Sequence, residues 1–90
     1  MDRTSPLIRL KKFPNAKEVF LSGSFNGWAE PGYSMVNKNG VWSIPLYLPS
    51  GKYTYKFVVD GKWIPDPRAK ETVPNPFGGM NSVLKVSQRA

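Results

Sequence analysis

The chain contains no cysteine and no histidine. Disulfides and Cys- or His-ligated zinc are thereby excluded. The usual general base for a Ser or Thr nucleophile is missing too. Acidic residues are scarce: Asp2, Glu18, Glu30, Asp60, Asp66 and Glu71 are the only carboxylates. A glycosidase needs two of them flanking the bond in a cleft, with separated pKa values. Asp60 belongs to a turn dipeptide and Asp66 sits between two prolines, a common turn setting for Asp, so nothing pairs them. No phosphate-cradling glycine loop occurs, since Gly78-Gly79 is too short. The first twenty residues hold no apolar run of signal-peptide length, and no segment approaches a membrane span. Convincing helical periodicity, internal repeats and low-complexity tracts are also lacking. These absences read as a non-enzymatic, soluble, cytoplasmic chain with no metal and no cofactor.

What is present fits one domain spanning residues 1–90. A chain of this length buries about 60–65% of its surface, so its core is small. It has room for a binding face rather than a deep catalytic cleft. The net charge of +7 invites an anionic partner. The Lys and Arg residues are dispersed, however, with Arg9, Lys11 and Lys12 the densest group, and dispersion favours a solvated surface. Neither nucleic acid nor membrane is the expected partner.

Short alternating segments separated by turn residues run through the chain. Leu7–Phe13 alternates around Ile8 and Leu10, and Glu18–Ser22 is a short apolar run. Asn39-Gly40 is a type I′ turn signal, which sets Tyr33, Met35 and Asn37 against Leu46, Ile44 and Trp42. Trp42, Ile44, Leu46 and Leu48 share one strand face, making Trp42 a core residue. Pro45 places its strand at an edge or a bulge. A final strand covers Ser82–Val86. Ser22–Pro31 and Pro65–Gly79 read as loops, the second carrying four prolines that preset it. Six or seven strands of this kind predict an all-β fold, an antiparallel β-sandwich.

Residues 53–66, YTYKFVVDGKWIPD, are the most informative. Tyr53, Tyr55, Phe57 and Val59 alternate as a half-buried strand. Asp60-Gly61 then supplies a two-residue turn, so Val59 faces Lys62, Val58 faces Trp63, and Phe57 faces Ile64. Trp63 and Lys56 become diagonal neighbours on the face opposite Phe57. Such neighbours lie roughly 7–8 Å apart, within reach of long side chains. A flat apolar ring beside a hydrogen-bond donor is what a sugar-binding surface needs. Trp28 follows Phe25-Asn26-Gly27 in a tight loop. Each ring also has a plainer reading: Trp63 as a cap over a loop, Trp28 folded back on the core, Phe77 packed inward.

VFLSGSFNGW (19–28), LPSGKYTYKFVVDGKWIPDP (48–67) and the segment from Asn81 to Val86 resemble carbohydrate-binding module family 48. This is the glycogen-binding module of the AMP-activated protein kinase β subunit, with relatives in glycogen-branching and starch-debranching enzymes. The resemblance covers about residues 6–87. It implies an immunoglobulin-like β-sandwich that binds α-1,4-linked glucan: glycogen, starch, maltooligosaccharides or cyclodextrin. By motif, Trp28 and Trp63 match the stacking Trp pair, and Lys56 and Asn81 match the hydroxyl-binding side chains. Phe77 stands where a Leu inserts beside the glucan, and Gly79 stands where Thr is frequent, which removes one hydroxyl contact. Relatives fused to branching or debranching enzymes often lack one or both Trp; this chain retains both. Expected partners are the glucan and a glycogen-metabolising enzyme or kinase subunits.

Three functions follow. The first is a non-catalytic α-glucan-binding module that targets a partner to glycogen. The second is a protein-docking module without sugar binding. The third is a single-stranded nucleic-acid binder, which would show steep salt dependence. The sandwich itself is shared by many functions and separates none of these.

Overall fold

The computed structural model describes residues 7–75 and 79–86. Nine strands form in chain order: β1 (Leu7–Leu10), β2 (Val19–Gly23), β3 (Tyr33–Ser34), β4 (Val36–Lys38), β5 (Val41–Pro45), β6 (Gly51–Val59), β7 (Lys62–Ile64), β8 (Thr72–Pro74) and β9 (Met80–Val86). They make two antiparallel sheets. The smaller runs β1-β5-β4, the larger β3-β2-β6-β9-β8, with β7 also on β6. Both β2 and β9 pair with Tyr55, so they flank β6 on opposite sides. β7 continues the β9 side along Phe57–Val59.

The two inner faces meet as a sandwich. Ile8, Leu10, Trp42 and Leu46 from the smaller layer pack with Val19, Leu21, Tyr55, Phe57 and Val59 from the larger. Phe57 and Leu21 are fully buried. Trp42 is buried as expected, and its indole N–H donates to the Phe13 carbonyl at 2.9 Å, so its polar atom is not orphaned. The outer face of the larger sheet carries Lys56, Val58 and Trp63, with Asn81 and Val83 further along.

Both two-residue turns form. Asn39, Gly40, Asp60 and Gly61 all have positive φ, as type I′ requires. The turn at Asp60 does more than reverse the chain. Its Oδ1 accepts hydrogen bonds from the backbone N–H of Lys17 and of Glu18, each 2.9 Å, pinning the entry to β2.

Four expectations change. The Asn37–Trp42 pair forms, with Val36–Ser43 in the same register, but Tyr33 pairs with Leu21 rather than Leu46. The chain changes sheets at Met35, which is buried and donates its N–H to the Val19 carbonyl. A sandwich corner explains this: one extended segment serves both layers in turn. Second, Pro65–Gly79 is not structureless. β8 lies within it, and β9 begins at Met80 rather than Ser82, because Thr72, Val73 and Pro74 pair with Ser82, Asn81 and Met80. Pro74 is tolerated because β8 is an edge strand. Third, Ser22–Pro31 contains a short 3₁₀ turn, Ser24–Asn26. Fourth, the broken strand and β8 raise the strand number to nine. Pro45 sits where β5 outruns β4, whose pairing stops at Ser43, so one flank of it needs no ladder donor.

On the outer face, Glu71 accepts ion pairs from Lys52 and Lys85, both at 3.2 Å. Hydrogen bonds from Lys52 and then Lys85 hold the Glu71 carboxyl below the usual carboxylate range. A depressed carboxylate stabilises above its unfolded pKa and loses that contribution as pH falls through its folded value. The clip is exposed, so Glu71→Gln is expected to leave the neutral-pH melting point nearly unchanged. The wild-type advantage, read by melting at several pH values, should disappear at acid pH.

Candidate functional site

The first component is the loop after β2. Asn26 is its hub. Its Oδ1 accepts from the Gly23 N–H at 3.1 Å and the Ala29 N–H at 3.4 Å, and its Nδ2 donates to the Leu21 carbonyl at 3.2 Å. The buried Ser22 hydroxyl donates to the Ala29 carbonyl at 2.7 Å, and the Thr54 N–H donates to Ser24 Oγ at 3.1 Å. The loop is thus folded back over the larger sheet. Gly23 permits the approach: a Cβ there would stand 2.3 Å from the Thr54 carbonyl oxygen. Trp28 adopts φ 58° and donates its N–H to the Gly23 carbonyl at 2.9 Å. A bulky residue in left-handed geometry costs about 1–2 kcal/mol, which the surrounding hydrogen bonds offset.

The second component is the β6–β7 hairpin. Its register is Val59–Lys62, Val58–Trp63 and Phe57–Ile64. Trp63 therefore lies on the outer face and is 37% exposed. Lys56 is two residues from Val58, on the same face and diagonal to Trp63. The folded loop brings Trp28 to Trp63: ring centroids are 6.4 Å apart and the planes are inclined by 44°.

The third component is polar. A Cβ placed on Gly79 would lie 3.3 Å from Lys56 Nζ and 3.3 Å from Asn75 Nδ2. Asn75 Nδ2 donates to Asn81 Oδ1 at 3.2 Å, and Asn75 Oδ1 accepts the Gly79 N–H at 3.1 Å. The Asn75 N–H also donates to the Gly79 carbonyl at 2.9 Å. Lys56, Asn75 and Asn81 thus form one group around Gly79. Because its oxygen is engaged by Asn75, Asn81 has its amide N–H groups to offer outward. Phe77 lies outside the described residues.

Two organising residues escape motif reading. Asn26 acts through side-chain bonds to backbone, and Asn75 through bonds to the Gly79 backbone and the Asn81 side chain; their only sequence signal is Asn beside Gly or Pro at a turn. Asp66 caps its turn through the Arg68 N–H at 2.9 Å and also accepts the Tyr55 hydroxyl proton at 2.5 Å. Burial, then the bond to Asp66, push the Tyr55 hydroxyl up from its ordinary value, so it stays a donor at physiological pH.

The result is an inclined pair of indoles beside an ammonium and amides, on the outer face of an all-β sandwich. Among known proteins, the profile of the glycogen recognition site of AMP-activated protein kinase matches residues 8–90. The chain belongs to this family. It is a non-catalytic carbohydrate-binding module. It is similar to 5′-AMP-activated protein kinase subunit beta-1 of Sus scrofa, 40% identical over 72 residues, covering 80% of this chain and 57% of that protein. The human beta-1 subunit is likewise 40% identical over 72 residues, covering 80% of this chain and 26% of its own length. Protein PTST homolog 2, chloroplastic, of Arabidopsis thaliana is 44% identical over 73 residues, covering 74% of this chain and 14% of that protein. The chain therefore spans only a minor to middling share of these relatives.

Proposed function

We propose that this module binds α-1,4-linked glucan through Trp28, Lys56, Trp63 and Asn81 and so carries an attached or associated enzyme or kinase to glycogen or starch. The observation that carries this reading is the inclined Trp28–Trp63 pair beside the Lys56–Asn75–Asn81 group. Sugar C–H faces pack on indoles. Two tilted rings follow the curvature of an α-1,4 chain, whereas the straighter β-1,4 chain suits a flat platform. Lys56 and Asn81 present donors to the hydroxyl rim. The site is shallow, so Kd is expected at ~10–100 μM, about 5–7 kcal/mol. Many sites on one glycogen particle would raise the effective affinity. A cytoplasmic setting goes with the cysteine-free composition.

The test is a titration with maltoheptaose and β-cyclodextrin, followed by Trp fluorescence and heat, with cellohexaose as control at low and high salt. Saturable, salt-insensitive binding of the α-glucans alone supports the reading. Binding only to single-stranded oligonucleotide, with steep salt dependence, would replace it. A docking role is the second reading. It draws on the outer face of the smaller sheet, where Leu7, Val36 and the nearby Tyr47 are 46%, 56% and 73% exposed; silence toward every glucan would favour it.

Gly79 offers a gain-of-function check. Its φ lies outside the left-handed region, and the nearest atoms to an added Cβ are the ends of Lys56 and Asn75. Gly79→Thr is expected to add one hydroxyl contact, worth about 0.5–1.5 kcal/mol. That is about two- to tenfold in maltoheptaose affinity by calorimetry.

A further inference from the structure

The Trp pair occupies one end of a longer strand face. The ladders of β6 run in unbroken register, to β2 from Tyr55 onward and to β9 up to Tyr55. Lys52, Thr54, Lys56 and Val58 therefore share the outer face of β6. Past Val59 the strand gives way to the Asp60-Gly61 turn. Toward Gly51 it continues, with Thr54 opposed by Val83 and Lys52 by Lys85. A ligand chain that follows β6 away from Trp63 stays over protein in that direction.

At the far end of this face three charged side chains meet. Like charges directly opposed in a ladder destabilise it, yet Lys52 and Lys85 are so opposed. Glu71 holds them together, taking Lys52 on one carboxylate oxygen and Lys85 on the other, each at 3.2 Å. Glu71 is itself anchored, since its carbonyl accepts the Val83 N–H at 2.9 Å. The clip thus has a fixed place on the strand face, ~13 Å along β6 from Lys56. Its members are exposed, and such pairs contribute little to stability. Their hydrogen-bonding capacity is not used up: each carboxylate oxygen has a second acceptor site, and each ammonium has further donors. A vicinal diol carries a donor and an acceptor on both of its hydroxyls. It matches a carboxylate flanked by ammoniums, and hydrogen bonds to ionised groups are the stronger kind. Between the clip and Lys56 the opposed pair is Thr54 and Val83, whose short side chains leave a low floor.

We propose that the Lys52–Glu71–Lys85 clip is an extension subsite for linear glucan, holding the hydroxyls of glucose units that run beyond the Trp pair along β6. The proposal rests on the α-glucan reading of the Trp pair. Trp28, Trp63, Lys56 and Asn81 take any α-glucan, ring or chain. The clip meets only an open chain long enough to reach it, and so adds a preference for length that a closed cyclodextrin cannot exploit.

The experiment titrates the full chain with maltodecaose and with β-cyclodextrin by calorimetry. The comparison protein carries Lys52→Ala with Glu71→Ala, and a thermal melt of each sample checks its fold. The double variant is expected to bind maltodecaose about three- to tenfold more weakly and β-cyclodextrin with unchanged affinity. Glu71→Gln is the milder variant and carries the test if the double variant is unfolded. It is expected to lose about two- to threefold toward maltodecaose alone. Equal binding of maltodecaose by unaltered and altered proteins would overturn the proposal and leave the glucan reading intact. An equal loss toward both ligands in a folded variant would overturn the separate subsite, because the clip would then act through the Trp site. Silence of the unaltered protein toward both ligands would overturn the glucan reading and the proposal with it.

Discussion

Trp63→Ala is expected to weaken maltoheptaose binding about thirtyfold while the protein stays folded. An aromatic side chain at the centre of a small recognition surface is commonly worth about 2 kcal/mol or more on truncation. That is roughly a third of the affinity expected of this shallow site. The fold has little stake in this ring. Trp63 lies on the outer face of a three-residue strand, opposite the Phe57 side of the sheet. Its ring packs on Trp28, and losing such a pair costs about 0.5–1.5 kcal/mol. Calorimetry against maltoheptaose and a thermal melt of the same sample separate the two effects. Undiminished binding by a folded variant would sink the site assignment. A collapsed melting point would mean that Trp63 is a cap rather than a contact.

Asn26 gives the second large effect, and it acts at a distance from any sugar. Asn26→Ala deletes three hydrogen bonds, to Gly23, Ala29 and Leu21. At about 1 kcal/mol each, and with partly buried backbone groups left unmet, the cost is about 2–3 kcal/mol. Trp28 is held in left-handed geometry by this same loop. Binding should therefore fall by about tenfold even where the variant is fully folded. Asn26→Asp keeps the acceptor for the two N–H groups but cannot donate to the Leu21 carbonyl. An intermediate loss is expected from it. If Asn26→Ala lowers the melting point but leaves maltoheptaose affinity unchanged, Trp28 is not a contact, and Trp63 acts without it.

The hairpins were readable because a two-residue loop admits one register. Asp60-Gly61 and Asn39-Gly40 set Val58 against Trp63 and Asn37 against Trp42. The sheet change at Met35 was not readable. Tyr33, Met35 and Asn37 alternate without interruption, and alternation reports a face, not which partner strand supplies the ladder. That choice is made by Val19, whose carbonyl takes the Met35 N–H. β8 was hidden by its own Pro74, a residue that signals loop except at a sheet edge. The same contrast holds at the site. The diagonal of Lys56 and Trp63 follows from local register. The approach of Trp28 does not, because it depends on bonds from Asn26, Ser22 and Ser24 to groups on β2, the loop's own far end and β6. Asn75 was missed for a similar reason: its bonds to Gly79 and Asn81 are side-chain contacts that no alternation or turn dipeptide announces.

β6 carries core and site on alternate residues of one strand. Tyr55, Phe57 and Val59 point inward, while Lys56 points outward beside Val58, the partner of Trp63. A slip of one residue would exchange the two sets, sending Lys56 into the interior and Phe57 into water. The phase of β6 is therefore inherited as a unit. Point substitutions in a lineage can change the outer face, but no single insertion can relocate it along β6 without destroying the hydrophobic layer behind. Divergence of such modules should leave the alternation standing after binding has gone, so that inactive descendants keep the phase of this strand long after losing its Lys and its partner Trp.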